Sequence, residues 1–89
     1  MEYAEFSDLT EATIRGMYDR IPAKYHEDFE SLFIGGEVGL AVETLVAGLA
    51  RFNIPIKPSE RDNLAILLRW MRKTESELDA LNVNLPDDV

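Results

Sequence analysis

Residues 37–52 read Glu-Val-Gly-Leu-Ala-Val-Glu-Thr-Leu-Val-Ala-Gly-Leu-Ala-Arg-Phe, and this stretch decides the fold. Its apolar side chains recur every three or four residues, as they do on one face of an α-helix. This stripe, about 100° wide, consists of Val38, Ala41, Val42, Leu45, Leu49 and Phe52. Leu40, Val46 and Ala47 widen the apolar surface. The pattern predicts a helix at the centre of a small core.

The same periodicity predicts three more helices. Ser7 is the expected N-cap of the first, which ends before Pro22. Pro22 opens the second, and Gly35-Gly36 ends it, because glycine tolerates the left-handed backbone of a helix C-terminus. Ser59, with Asp62 three residues later, is the expected N-cap of the last. Their inner faces are predicted to hold Ile14, Met17, Tyr18 and Ile21, then Tyr25, Phe29, Leu32 and Phe33, then Leu64, Leu67, Leu68 and Met71.

The remaining segments are predicted to be connections. Residues 53–58 contain two prolines and form an extended linker. After the last helix, either Thr74 and Glu77 cap a new turn or the helix continues to Leu81. Residues 82–89 are expected to be a flexible acidic tail. Since no stretch alternates with period two, we expect no sheet. The chain, residues 1–89, is predicted to be a single all-α domain, a compact bundle of about four helices with short loops.

The composition excludes several classes of protein. The 89 residues include 17 acidic and 9 basic ones, which gives a formal net charge of −8. A protein that binds free nucleic acid needs a basic face, so we expect no nucleic-acid partner. The absence of cysteine excludes disulfides and zinc–thiolate sites. No apolar run approaches the roughly 20 residues of a membrane helix, and the acidic N-terminus lacks the basic start of a signal peptide. We therefore expect a cytoplasmic protein with no membrane contact.

The charge is unevenly distributed. Residues 1–50 hold ten acids and three bases, residues 51–73 two acids and six bases, and residues 74–89 five acids and no base. Such blocks can steer an oppositely charged partner. Alternatively, the basic stretch neutralises the acidic ones within the fold. The sequence leaves both interpretations open.

The residues give no support to catalysis. His26 is the single histidine, which argues against a catalytic triad or a transition-metal site, and we expect it to be a solvated helix residue. Glu27, Asp28 and Glu30 lack the spacing of a calcium loop. Residues 35–39 are glycine-rich, but no strand precedes them and no lysine follows, so a phosphate loop is not indicated. We predict no enzyme activity, no catalytic residue, no metal site and no cofactor.

A carrier-protein hypothesis rests on Glu30-Ser31-Leu32. Acyl carrier proteins are also acidic four-helix chains, and their attachment serine lies in an Asp-Ser-Leu motif that opens a helix. Ser31 is instead predicted to lie inside a helix, and Gly35-Gly36 ends that helix where a carrier protein continues. The pattern therefore argues against a carrier protein.

One pattern extends from residue 36 to residue 71. It contains Gly36-Glu37, Ala41, Glu43 and Leu45 at fixed spacing, then Ile54-Pro55-Ile56, Ser59-Glu60, Leu67-Leu68 and Met71. This segment resembles the MafI family of small bacterial immunity proteins, in which a Gly-Glu-x-x-x-Ala-x-Glu-x-Leu helix precedes a similar turn and an amphipathic helix. The resemblance does not cover residues 1–34 or the C-terminal segment.

The resemblance implies a cytoplasmic immunity protein. Such a protein binds and neutralises the C-terminal domain of a cognate toxin that is secreted or delivered by contact. Many of these toxins are nucleases, and a nuclease needs a basic cleft to hold phosphates. Carboxylates of an inhibitor can mask that cleft, and their charge also speeds association. The acidic composition thus agrees with the implied function.

Five residues are the candidate contacts with a partner. Glu27, Asp28 and Glu30 form an acidic patch, with Tyr25 or His26 at its rim. Trp70 is the candidate aromatic anchor. The alternative interpretations are a solvated helix face for the acids and a core position for the tryptophan.

A second class of function is a small acidic helical regulator or assembly subunit. An assembly subunit would form a homodimer through its apolar third helix. A DNA mimic or anti-repressor would share the acidic charge. Self-association in solution separates the assembly subunit from an immunity protein that stays monomeric until its toxin arrives.

Overall fold

The computed structural model describes residues 1–87, in which four α-helices pack around one core. The helices are α1 (Tyr3–Arg15), α2 (His26–Ile34), α3 (Val38–Arg51) and α4 (Pro58–Trp70). Two short 3₁₀ helices, Ala23–Tyr25 and Ser76–Ala80, and two strands, β1 (Pro55–Ile56) and β2 (Asn82–Val83), complete the chain. The prediction of a compact, mostly helical bundle is confirmed. None of the helices in residues 1–87 has the length and apolar character that crossing a bilayer requires.

Helix α3 lies at the centre of the bundle and packs against the other three helices. Its buried side chains are Val38, Ala41, Val42, Leu45, Val46 and Leu49. At Gly39, an added Cβ atom would lie 3.2 Å from the Sδ atom of Met71, so the glycine allows α4 to approach closely. Phe52 was predicted to belong to the buried stripe, but it is 45% exposed. It lies one residue beyond the helix, where the backbone turns away.

Helices α2, α3 and α4 all end in the same way. At the end of α2, the N–H of Gly36 donates to the carbonyl of Phe33, and the N–H of Glu37 donates to that of Leu32. This pair of bonds is a Schellman motif, and it needs a left-handed residue after the cap. Gly36 supplies that residue for α2, and Asn53 and Arg72 supply it for α3 and α4, with φ of 73°, 51° and 58°. The predicted stop at Gly35-Gly36 is confirmed.

The predicted bounds of α1 are wrong at both ends. The helix begins at Tyr3, well before Ser7, and the carboxylate of Glu5 accepts a hydrogen bond from the N–H of the N-cap residue Glu2 (3.2 Å). It ends at Arg15. The chain then forms turns in which backbone N–H groups donate hydrogen bonds to carbonyls three residues earlier. Of the predicted inner face, Ile14 is buried within α1, whereas Met17 and Ile21 are buried in the turns beyond it. The prediction missed Phe6, Thr10 and Thr13, which form the rest of the buried face of α1.

Helix α4 also begins earlier than predicted. Lys57 is its N-cap and Pro58 its first residue, and the carboxylate of Glu60 accepts from the N–H of Lys57 (2.7 Å). Ser59 therefore lies inside the helix instead of capping it. Beyond α4 the chain forms the new turn that one of the two alternatives expected, in which Thr74 Oγ1 accepts from the N–H of Ser76 (3.2 Å).

A small parallel sheet contradicts the expectation that no sheet forms. Strands β1 and β2 pair with Pro55 opposite Asn82 and Ile56 opposite Val83. The N–H groups of residues 84 and 85 both donate to the carbonyl of Ile56, and Asp87 accepts hydrogen bonds from Ser59. Residues 82–87, predicted as part of a flexible tail, are thus paired with the linker and the start of α4. Residues 88–89 lie outside the described residues.

Candidate partner-binding surface

Most of the basic side chains are paired with carboxylates of the same chain. The ion pairs are Arg15 with Glu11 and Glu30, Arg20 with Asp19 and Glu60, Arg61 with Asp79, Arg69 with Glu75, and Lys73 with Glu43. Three of them join the basic stretch 51–73 to acids outside it. Three of the six cations of the basic stretch thus neutralise acidic groups within the fold, in agreement with one of the two interpretations of the charge blocks.

The surplus of negative charge lies on exposed carboxylates. Within residues 1–87, the exposed acids for which the structure shows no ion pair include Glu2, Glu5, Asp8, Glu27, Asp28, Glu37, Asp62 and Glu77. Glu27 and Asp28 are neighbours in the first turn of α2, where the helix dipole favours negative charge. These two are the predicted contact acids that remain free for a partner.

Glu30, the third acid of the predicted patch, is bound inside the fold. Its carboxylate accepts hydrogen bonds from Nη2 of Arg15 (2.7 Å) and from the hydroxyl of Tyr18 (2.7 Å). The hydrogen bond from Arg15, followed by that from Tyr18, lowers the pKa of Glu30. Burial of the Tyr18 ring and its hydrogen bond to Glu30 raise the pKa of Tyr18 to about 12. Glu30 thus joins α2 to α1.

His26 is held by its neighbours and is not the solvated residue that we expected. Its ring stacks on Tyr18, with centroids 4.0 Å apart and an interplanar angle of 8°. Its Nε2 atom lies 2.8 Å from the carbonyl oxygen of Ile21. The histidine therefore fastens the start of α2 to the turn before it. No group of three possible metal ligands occurs among residues 1–87.

A groove lies between the first 3₁₀ helix with α2 on one side and the C-terminal half of α3 on the other. It has a volume of about 360 Å³ and is lined mainly by apolar side chains. Tyr25 and Phe52 both line it, with ring centroids 5.8 Å apart. Asp28 and Arg51 lie on its two sides, and Gly48 contributes a surface without a side chain. Two predicted contact residues, Tyr25 and Asp28, are thus brought together here.

The sequence reasoning identified only Tyr25 and Asp28 among the residues that line this groove, and it missed Gly48, Arg51 and Phe52 in particular. Phe52 was assigned to the core because its position continues the apolar stripe. The left-handed Asn53 that follows it was the available signal, since asparagine at the end of an apolar helix is typical of a Schellman motif.

Trp70, the predicted anchor, is not among the residues that line the groove. Its ring stacks on Phe6 at 4.2 Å, and its Nε1–H donates to the carbonyl of Met1 (2.7 Å). The side chain is 37% exposed, so it is neither a core residue nor a free anchor. It connects α4 to the N-terminus of α1, and the five predicted contact residues do not form one surface.

No family model, curated protein or solved structure matches this chain. The charge and shape of the groove, with the free acids beside it, are therefore the structural observations that bear on a proposed function.

Proposed function

We propose that this chain is an immunity protein that binds and neutralises the C-terminal domain of a cognate bacterial toxin, with a nuclease as the favoured class. One structural observation supports the binding part of the proposal. Glu27 and Asp28 are exposed and free of ion pairs within residues 1–87, and Asp28 borders an apolar groove that is lined by Tyr25 and Phe52. The immunity role itself comes from the resemblance of residues 36–71 to the MafI family.

The electrostatic part of the proposal is local. At physiological ionic strength, exposed charges are screened beyond about 8 Å. A basic toxin cleft therefore responds to the carboxylates nearest to it more than to the net charge of −8. Glu27 and Asp28 would meet lysine or arginine side chains that otherwise hold phosphates. Their main effect would be on the association rate, and apolar contacts would supply most of the affinity.

The assembly-subunit hypothesis needs an apolar third helix that is free for a second copy. In the structure, the apolar side chains of α3 are buried in the core of their own chain, and its large exposed apolar residue is Leu40. Dimerisation through α3 is therefore the weaker proposal. A regulator that mimics DNA would also need free acids at its surface. The capture experiment described next would detect it, because its partner would be a transcription factor or polymerase.

The experiment starts with capture of the partner. The chain serves as bait in extracts of its source bacterium, and mass spectrometry identifies what it retains. The C-terminal domain of a captured secreted protein is then expressed in a host with and without this chain, and survival is counted. We expect the chain to restore growth. Retention of a transcription factor or polymerase, or the lack of any protection, would overturn the proposal.

A charge-reversal variant tests the surface. Glu27→Lys with Asp28→Lys changes the formal charge from −8 to −4. The matched control, Asp8→Lys with Asp62→Lys, makes the same change at exposed acids on α1 and α4. We expect the first variant to lose protection and the control to keep it. Glu30 is left unchanged, because a lysine there would face Arg15 and disturb the fold. Equal protection by both variants would show that this patch is not the interface.

A further inference from the structure

The groove beside α2 has room for a side chain that the chain itself does not supply. A Cβ atom added at Gly48 would meet no heavy atom within 4 Å. Ala47 also lines the groove next to it, so the C-terminal half of α3 presents two small residues there. Tyr25 is half-buried and Phe52 is exposed, which leaves aromatic surface around this space. The groove is thus a recess shaped by missing side chains.

The charges around the recess are arranged asymmetrically. Asp28 borders it from α2, and no described cation pairs with that carboxylate. The cations nearest to the aromatic walls lie against the rings. Lys24 Nζ is 5.2 Å from the centroid of Tyr25, and Arg51 Cζ is 5.4 Å from the centroid of Phe52. Arg51 also lines the groove, and the structure shows no ion pair for it within residues 1–87. The groove therefore has one carboxylate on the α2 side and one guanidinium on the α3 side, and an incoming cation has its complement at Asp28.

We propose that the groove receives one large apolar side chain, leucine or aromatic, from a segment of the partner protein, with a lysine or arginine of that segment beside Asp28. This inference rests on the proposed function and names the feature of the toxin that would be recognised. Apolar burial would supply affinity, because such a side chain gains most when it leaves water completely. The ion pair would fix the orientation of the segment.

A filled groove gives the decisive variant. Gly48→Leu places a leucine in the space, and the fold should tolerate it, because nothing lies near the new Cβ atom and leucine favours a helix over glycine. Gly48→Ala is the first control, since it gives a similar helical preference but leaves most of the recess open. Ala50→Leu is the second, since it adds a leucine at an exposed position of α3 that does not line the groove.

The probe is a random peptide library displayed on phage, selected against the immobilised wild-type chain. We expect enriched peptides to carry a large apolar residue next to lysine or arginine. A synthetic copy of the best peptide is then titrated by fluorescence anisotropy. Gly48→Leu should weaken its binding about 10- to 100-fold, since a lost apolar contact of this size corresponds to that range. Gly48→Ala and Ala50→Leu should bind within about 3-fold of wild type, and Asp28→Asn should weaken binding at low salt.

Three results would overturn the inference. They are a selection that enriches no peptide, enriched peptides without basic residues, and equal binding by wild type and Gly48→Leu. A wild-type dimer that Gly48→Leu converts to a monomer would also overturn it, because the occupant would then be a second copy of this chain.

The inference and the proposed function fail separately. Protection from a toxin that Gly48→Leu retains in full would refute the groove and leave the immunity role standing. Specific peptide binding by a chain that has no toxin partner would refute the immunity role and leave the groove as a binding site.

Discussion

Replacing Glu60 with alanine removes a carboxylate that joins three parts of the fold. The side chain accepts from both terminal nitrogens of Arg20, at 2.9 and 2.6 Å, and from the N–H of Lys57 at 2.7 Å. Arg20 in turn donates to the carbonyl of Pro55 at 2.9 Å. The turn after α1, strand β1 and the start of α4 therefore meet at one ion pair, whose side chains are only 15% and 13% exposed.

The low exposure of this ion pair determines how much unfolding free energy Glu60→Ala should lose. Exposed ion pairs contribute about 0.2–1 kcal/mol, whereas removing one partner of a buried pair costs about 3–5 kcal/mol. Arg20 keeps its bond to Pro55 and some contact with water, so Glu60→Ala should lower the free energy of unfolding by about 3 kcal/mol. For a domain of this size, that corresponds to a fall in Tm of roughly 12–24 °C.

The loss should depend on pH. Burial acts to raise the pKa of Glu60, but the hydrogen bonds from Arg20 and from the N–H of Lys57 outweigh it and hold the pKa below 4.5. Because the folded-state pKa is the lower one, the stabilisation is complete above pH 4.5 and disappears as the pH falls through the folded value. The difference between wild type and Glu60→Ala should therefore shrink in acid.

Urea unfolding, followed by far-UV circular dichroism, measures both effects. The matched control is Glu75→Ala, which breaks the ion pair between Glu75 and Arg69. These two side chains are 42% and 67% exposed, respectively. We expect the control to lose less than about 1 kcal/mol. The reasoning is refuted if Glu60→Ala loses no more than the control, or if its deficit stays constant from neutral pH into acid.

Four further predictions concern stability. The buried hydroxyl of Thr13 has no hydrogen-bond partner in the described chain, so Thr13→Val should raise the free energy of unfolding by about 1 kcal/mol. Thr10→Val removes a hydroxyl bound to a carbonyl and should lower it by a similar amount in the same urea assay. Since the pKa of Tyr18 is raised from 10.0 to about 12, wild type should lose Tm between those pH values more steeply than Tyr18→Phe. Deleting residues 82–89 removes two hydrogen bonds to Ile56 and two exposed ones from Ser59 to Asp87, and should lower the free energy of unfolding in urea by about 1–3 kcal/mol.

Each of these predictions has a contrary result. Equal losses for the two threonine variants would show that Thr13 is not an unsatisfied group. An alkaline profile unchanged by Tyr18→Phe would mean that another group causes the decline. A shortened chain as stable as wild type would make the parallel strand pair irrelevant to folding.

The parts of the fold that sequence could predict are those where burial follows helical spacing. In α3, the six buried side chains all belong to the predicted apolar surface, because a helix with neighbours on several sides needs a wide stripe. The inner face of α4 was correct for the same reason. For α1 only Ile14 was correct, because the buried face of that helix also holds Phe6, Thr10 and Thr13, and the other predicted residues lie in the turns beyond it. Phe52 was wrong because periodicity continues past the point where Asn53 turns the chain.

Helix starts and the sheet depended on contacts that spacing does not reveal. Ser7 and Ser59 are typical N-cap residues, yet acids at the third helical position, Glu5 and Glu60, bind the N–H of earlier N-caps. Strand β2 has two residues, too few to show alternation, and its partner lies 27 positions earlier. Pairing of this kind is visible only once the chain has folded.

The candidate site was half predicted. Tyr25 and Asp28 do border one groove, because both lie where the first 3₁₀ helix meets α2. Glu30 follows Glu27 by three positions, so helical spacing placed the two acids on one face. In the structure, however, Arg15 and Tyr18 donate hydrogen bonds to the carboxylate of Glu30. Sequence lists the charges of a chain and does not show which of them the fold has already paired.

That distinction between paired and free charge leads to a test of what a basic partner recognises. Lys73 forms an ion pair with Glu43 at 2.8 Å, and neither residue lines the groove beside Asp28. Lys73→Met makes the formal charge −9 and frees the carboxylate of Glu43. If the partner responds to local carboxylates, this variant should bind it no more tightly than wild type at physiological salt, because screening confines each charge to about 8 Å. Affinity that rises with Lys73→Met as much as it falls with Asp28→Asn would mean that total charge governs the encounter, and the groove would then have no special electrostatic role.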